Sequence, residues 1–277
     1  MMKPFFRKFI LAWLLFVTTY GSSAKASLPA KPPPADFLQI QKSGCALIIV
    51  VNGVPLEYLG GAIQSTFSSL AGFEKVGPNK VEFLIHSRPN TPTSLTVETL
   101  YGTFPSLHKR GIGLKFVKKG VQAQVSFVKN LVIRKTKKTR WAFSKVLRVD
   151  HMTLADRKLL LASVERVMDA WKMGNGKKVS EAYAMDYAGA AGESRKMMGQ
   201  RFSQIFGMMA KSHAVFRESN PSSWRVQACP RGVLVYGGPG KDSFLFGYFG
   251  PAGGFPMNME CRQVLLCRTV AGWVVEK

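Results

Sequence analysis

Two hydrophobic periods divide this chain. Residues 44–52 (GCALIIVVN) form an apolar run that reads as a buried strand, broken by Gly53 and Pro55. In residues 61–72, Ile63, Phe67 and Leu70 stand at helical spacing and Gly72 supplies a stop, which predicts a short helix. From Lys80 the period is two. Val81, Phe83 and Ile85 alternate with Glu82 and Leu84, and Leu95, Val97 and Thr99 alternate with Thr96 and Glu98. Pro89-Asn90-Thr91-Pro92 between them reads as a loop. Ile112, Leu114 and Phe116 oppose Lys115 and Lys119. After Lys119-Gly120, Val121, Ala123, Val125 and Phe127 alternate with polar residues, which predicts an antiparallel hairpin. Further strands are expected at Leu131–Arg134 and at 141–149, the latter with Trp141, Phe143, Leu147 and Val149 on one face.

At Thr153 the period becomes helical. Thr153 and Asp156 form a variant capping box, and Leu160, Val164, Val167, Met168 and Trp171 mark one face. A second helix is expected at about 177–188 and a third at about 194–211, the third carrying Met198, Phe202, Ile205, Phe206 and Met209. Its Met197, Met198, Met208 and Met209 read as core, with an adaptable partner groove as the alternative. Strands then return at about 213–218, 222–229, 231–237, 242–249, 260–270 and 272–276. The fold class is therefore α+β: an antiparallel β-rich unit at 44–150, then three helices with an antiparallel sheet at 151–277. The element order of 154–277, ending in Gly272-Trp273-Val274-Val275, resembles the ketosteroid-isomerase-like cone. That resemblance implies helices packed on a curved sheet. It is shared by enzymes, binding proteins and secretion-apparatus components, and it brings no catalytic residue to this chain.

The N-terminus sets the expected compartment. Lys3, Arg7 and Lys8 precede an apolar run from Phe9 to Tyr20, and Ala24-Lys25-Ala26 is an A-x-A site. This is the three-part pattern of a secretory signal peptide over 1–26, cut after Ala26 or, second, after Ala24. An uncleaved anchor is the alternative, but the apolar run is short against the roughly 20 residues of a span. Residues 27–43, with Pro32-Pro33-Pro34, read as an extended spacer. Export permits disulfides among Cys45, Cys229, Cys261 and Cys267. Cys261 and Cys267 on one strand would lie about 20 Å apart, so Cys229 is the expected partner of one of them, and Cys45 could take the other.

Charge changes the picture most. The chain has 39 Lys+Arg against 16 Asp+Glu. Thirteen of those cations fall between Thr99 and Val149, where there is no Asp or Glu. The candidate anion-binding residues are Lys109, Arg110, Lys115, Lys118, Lys119, Arg134, Lys135, Lys137, Lys138 and Arg140, expected on a single positive surface. The partners implied are an anionic polymer, phospholipid head groups or an envelope protein complex, with nucleic acid as a further candidate. Trp141 and Phe143 beside them read as core.

Catalytic signatures are missing. There is no G-x-S-x-G, H-E-x-x-H, P-loop or G-x-G-x-x-G, and the four His are scattered without a C-x-x-C. No cofactor or metal is expected. The sequence points to an exported, periplasmic or secreted, non-enzymatic binding or assembly component. A hydrolase or isomerase using a pocket at Tyr183, Asp186 or Tyr187 is one alternative, and a secreted cationic toxin or effector another.

Overall fold

A computed structural model describes residues 34–276, apart from 62, 104–105, 121–124, 136–140, 184–193, 239–243 and 251–257. The chain is α+β. Its first eight strands are β1 (Ala35–Ser43), β2 (Cys45–Val51), β3 (Val54–Leu59), β4 (Ile63–Ser69), β5 (Gly77–Ser87), β6 (Thr93–Thr103), β7 (Ser106–Lys118) and β8 (Ser126–Lys135). They form two antiparallel sheets, sheet I in the order β4-β1-β6-β7 and sheet II in the order β3-β2-β5-β8. Adding four to each strand number, counting round after eight, turns the order of sheet I into that of sheet II read backwards. The sandwich is thus two four-strand halves with the same connectivity, a repeat of topology that leaves no repeat in the sequence.

Leu38, Ile40, Leu95 and Val97 of sheet I share one core with Leu47, Ile49, Phe83, Ile85, Leu131 and Ile133 of sheet II. Alternation along each strand puts these residues inward. β2 and β3 are joined by a two-residue turn in which Asn52 (φ 53°) and Gly53 (φ 83°) are both left-handed. Asn-Gly is the favoured pair for such a hairpin turn, so Gly53 continues the sheet rather than ending it.

Four sequence expectations change here. Residues 35–43, expected in the spacer, are β1, central in sheet I between β4 and β6. The helix expected at 61–72 is strand β4: Phe67 is exposed while Leu70 is buried, and pairing with β1 outweighs the helical spacing. The hairpin expected around Lys119-Gly120 does not form, because β7 pairs with β6 and β8 with β5, in different sheets. The strand expected at 141–149 is a turn and an extended crossing, with Phe143 buried against Phe73 and the Leu147 N–H donating to the Arg268 carbonyl.

The helices are α1 (Leu154–Lys172), α2 (Gly176–Ala182) and α3 (Arg195–Lys211), capped by Thr153, Asn175 and Ser194. The Thr153–Asp156 capping box forms, and Asp156 also accepts from Trp273 Nε1 at 3.1 Å. Those hydrogen bonds hold the Asp156 carboxyl down at about 2. The remaining strands are β9 (Val215–Glu218), β10 (Arg225–Cys229), β11 (Gly232–Tyr236), β12 (Phe246–Phe249), β13 (Met259–Cys261), β14 (Gln263–Thr269) and β15 (Gly272–Val275). Sheet III has the order β10-β11-β14-β15 and sheet IV β13-β12-β9.

Sheet III is buried on both faces. Val233, Val235, Val264 and Leu266 pack with Leu160, Val164, Val167 and Trp171 of α1. Leu234, Leu265, Cys229 and Cys267 join the core of the eight-stranded sandwich. Tyr236 stacks on Tyr58 of β3 at 4.0 Å between ring centroids. From Pro33 onward the chain is one compact unit. The change of period at Thr153 marks a change of element, not a gap in packing.

Candidate functional site

The acid-free segment folds into the two terminal strands β7 and β8, which lie on the same side of the sandwich. The neighbouring strands sort their cations into three groups.

The first group is turned inward. Along β1 the inward row is Asp36, Leu38, Ile40 and Lys42, charged at both ends and apolar between. At the Asp36 end the register of β6 and β7 shifts around Thr99, so that residues 110–112 bulge, with Gly111 at φ 79°. A bulge re-aims the side chains it contains. Arg110 Nη1 thereby reaches Asp36 Oδ1 at 2.6 Å. Lys135, on the inward row of β8, donates to Asp36 Oδ2 at 2.9 Å and to Glu74 Oε2 at 2.9 Å. Both cations lie near the face of Tyr101, with Arg110 5.3 Å and Lys135 5.9 Å from the ring centroid. Asp36 and Glu74 are buried. Burial, then the nearby Asp36 charge, pushes the Glu74 carboxyl up to about 7 against the pull of Lys135. Burial acts to lower the Lys135 ammonium, but its bonds to Asp36 and Glu74 outweigh this and its pKa is raised. The cluster joins β1, β7, β8 and the turn after β4. Its two carboxylates are buried and each is engaged by a cation, so its chemistry is that of an internal clamp.

At the other end of β1, Lys42 donates to the Cys45 carbonyl at 2.7 Å and to the Gly61 carbonyl. It is buried with no carboxylate partner among the described residues, and burial lowers it to about 8.

The second group is half engaged. Lys109 pairs with Glu98 at 2.5 Å on the surface. Lys129 lies 5.0 Å from the ring centroid of Phe116, which itself meets Phe127 of β8. The third group is exposed and without an ion pair among the described residues: Lys115, Lys118, Lys119 and Arg134. Lys115 faces out from sheet I and Arg134 from sheet II, so these cations rim one side of the sandwich and do not form one patch. Arg110 and Lys135 are committed to internal carboxylates and leave the expected anion-binding set. Lys137, Lys138 and Arg140 lie outside the described residues.

Asp36, Glu74 and Tyr101 were not legible as site residues. Asp36 alternates with Leu38 and Ile40, the one signal that could have placed it inward.

The cysteines are four separate buried thiols, so the expected disulfide is not formed. Cys229 lies opposite Gly232, and extending the β11–β14 register puts Cys267 on the other side of Gly232. Two strand spacings, roughly 9.5 Å, exceed the reach of a disulfide. Cys261 belongs to the helix-side core, on the far face of sheet III. Burial pushes the Cys229 and Cys261 thiols up to about 12 and Cys267 well above its usual value.

The inside of the C-terminal region is filled by rings. Trp171 meets Phe202, Phe206 and Phe246, and Tyr248 meets Phe206 and Phe216. A cleft of about 580 Å³ opens beside it, between α1, α2 and β15. Tyr183 lines it, but the carboxylates at its wall, Asp169 and Glu181, are exposed. Asp186 and Tyr187 lie outside the described residues. Among the described residues no group of His, Cys, Asp and Glu is arranged to hold a metal, and no helix is long and apolar enough to cross a membrane.

No protein-family model, curated protein or solved structure matches this chain.

Proposed function

We propose that this is an exported, non-enzymatic binding or assembly component that meets an anionic partner along the rim of β7 and β8. One observation carries the reading. Lys115, Lys118, Lys119 and Arg134 stay exposed and without an ion pair among the described residues, on the side of the sandwich away from sheet III, while their neighbours are held by internal acids. Such cations gain from displacing counterions on a polyanion, so binding should weaken steeply with salt. The signal-peptide pattern of residues 1–26 supports export.

The test is binding to heparin and to phosphatidylglycerol-containing vesicles across a salt series. Replacing Lys115, Lys118, Lys119 and Arg134 together by Gln should reduce both affinity and salt slope. An unchanged slope would remove the rim from the reading. Export is tested separately, by sequencing the N-terminus of the mature protein, which should begin at Ser27.

A further inference from the structure

We infer that β8 is the docking edge for an extended acidic segment of a partner protein, added to sheet II as a further antiparallel or parallel strand. This rests on the proposed function and names the partner's chemistry.

The hydrogen-bond pattern of β8 defines its free edge. The Ser87 N–H donates to the Val125 carbonyl at 2.9 Å, just before β8 begins. On the other side of β5, the Asn52 N–H donates to the Lys80 carbonyl at 2.8 Å. Bonded and non-bonded pairs alternate along an antiparallel ladder. In β5 the odd-numbered residues therefore bond to β8 and the even-numbered ones to β2. The β5–β8 register runs unbroken from Gly77↔Lys135 to His86↔Ser126. It follows that Ser126, Val128, Asn130, Val132 and Arg134 direct their backbone N–H and C=O groups away from the sheet. Among the described residues these groups have no backbone partner. The same five residues have exposed side chains.

Terminal strands are ordinarily protected by bulges, lysines or short length. β7 has such protection, a bulge at 110–112 and the exposed Lys115 and Lys118. β8 has neither. It is ten residues long, and its outward row presents Val128 and Val132, 56% and 57% exposed. The other terminal strand of sheet II, β3, is covered by this chain itself. There the Tyr58 N–H of the terminal strand β3 donates to Gln263 Oε1, and Tyr58 stacks on Tyr236. At β8 an incoming strand would take that place. The main chain provides affinity and alternate side chains provide selectivity. Arg134 on this row, with Lys118 and Lys119 where the chain leaves β7 for β8, favours acidic residues in the incoming segment. They oppose a second copy of this chain, whose own edge is equally basic.

The probe is a synthetic peptide of alternating glutamate and valine, as long as β8, titrated into the full chain. Four proteins are compared: the wild type, Asn130→Pro, Val132→Glu, and the Lys115→Gln, Lys118→Gln, Lys119→Gln, Arg134→Gln variant. Proline is tolerated on a terminal strand where the N–H faces solvent, but it removes the donor that an added strand needs. Both single variants should keep the thermal unfolding profile of the wild type. Each should weaken the peptide about tenfold, as expected for losing one or two hydrogen bonds or for juxtaposing like charges. Should Asn130→Pro unfold, Val132→Glu alone carries the test, because residue 132 is exposed. Wild-type-like peptide binding by the folded single variants would overturn strand addition. So would wild-type protein that binds heparin or anionic vesicles but not the peptide, an outcome that leaves the rim reading intact. Failure to bind heparin, vesicles and peptide alike would remove both.

Discussion

The two halves of the sandwich have the same connectivity and opposite fates. β2 reads CALIIVV and is apolar at every position, so it buries both faces. One face lines the sandwich core, and the other, with Ile48 beside Tyr58, receives sheet III. β6, its counterpart, reads TSLTVET over its first seven residues, buries only alternate residues there, and shows Ser94, Thr96 and Glu98 on the outside. Nothing packs there among the described residues. The sides differ in the same way. On one side β3 is closed by apolar packing and a capped main-chain N–H, and the β7/β8 side is fastened by ion pairs. The lesson is that topology offers two equivalent docking faces, and the number of apolar positions per strand decides which is used.

The largest expected effect comes from breaking the ionic side. Asp36→Asn leaves Arg110 without its partner and Lys135 with Glu74 alone. Breaking a buried pair from one side costs about 3–5 kcal/mol, so urea unfolding should show a loss in that range. A loss below about 1 kcal/mol would mean the cluster does not fasten the strands. The apolar side comes next. Ile48→Ala should cost about 2–5 kcal/mol, while Thr96→Ala on the outward face of β6 should stay within about 0.5 kcal/mol. Equal losses at the two positions would dissolve the comparison.

The third effect depends on pH. The Glu74 carboxyl is raised when folded, from 4.5 to about 7. The folded state therefore binds its proton more tightly than the unfolded chain does. The stability this gives is fully present below pH 4.5 and is lost as pH rises through about 7. The loss is on the order of 3 kcal/mol. Glu74→Gln should remove that slope between pH 4.5 and 7, as followed by chemical denaturation at fixed salt. A wild-type slope that persists in the variant would place the proton elsewhere. The smallest effect belongs to the surface pair. Lys109→Gln breaks only the exposed contact with Glu98 and should change stability by less than about 1 kcal/mol, and less still at high salt.

Legibility followed the range of the interaction. α1 begins where Thr153 and Asp156 said it would, because a capping box is local. The strands after α3 stand close to their expected places, since alternation and turn residues are local too. The site was half legible. The density of Lys and Arg was visible, but what each one does was not. Arg110 and Lys135 look in the sequence like Lys118 and Arg134, and only the bulge at Gly111 and the parity of β8 turn the first two inward. Asp36 and Glu74 lie far from them along the chain, one in the supposed spacer and the other after a supposed helix.

By itself, then, the sequence determined the α+β class, the helix starts and the alternating strands. It also placed the concentration of positive charge in one acid-free stretch, because these depend on neighbours within one or two turns. Only the tertiary structure decided that β7 and β8 part into different sheets, that two cations are held by buried acids, and that sheet III covers one face while β8 stays uncovered among the described residues. Those outcomes depend on strand pairing and burial between residues tens of positions apart, and hydrophobic period along the chain carries no record of which strand a partner will be.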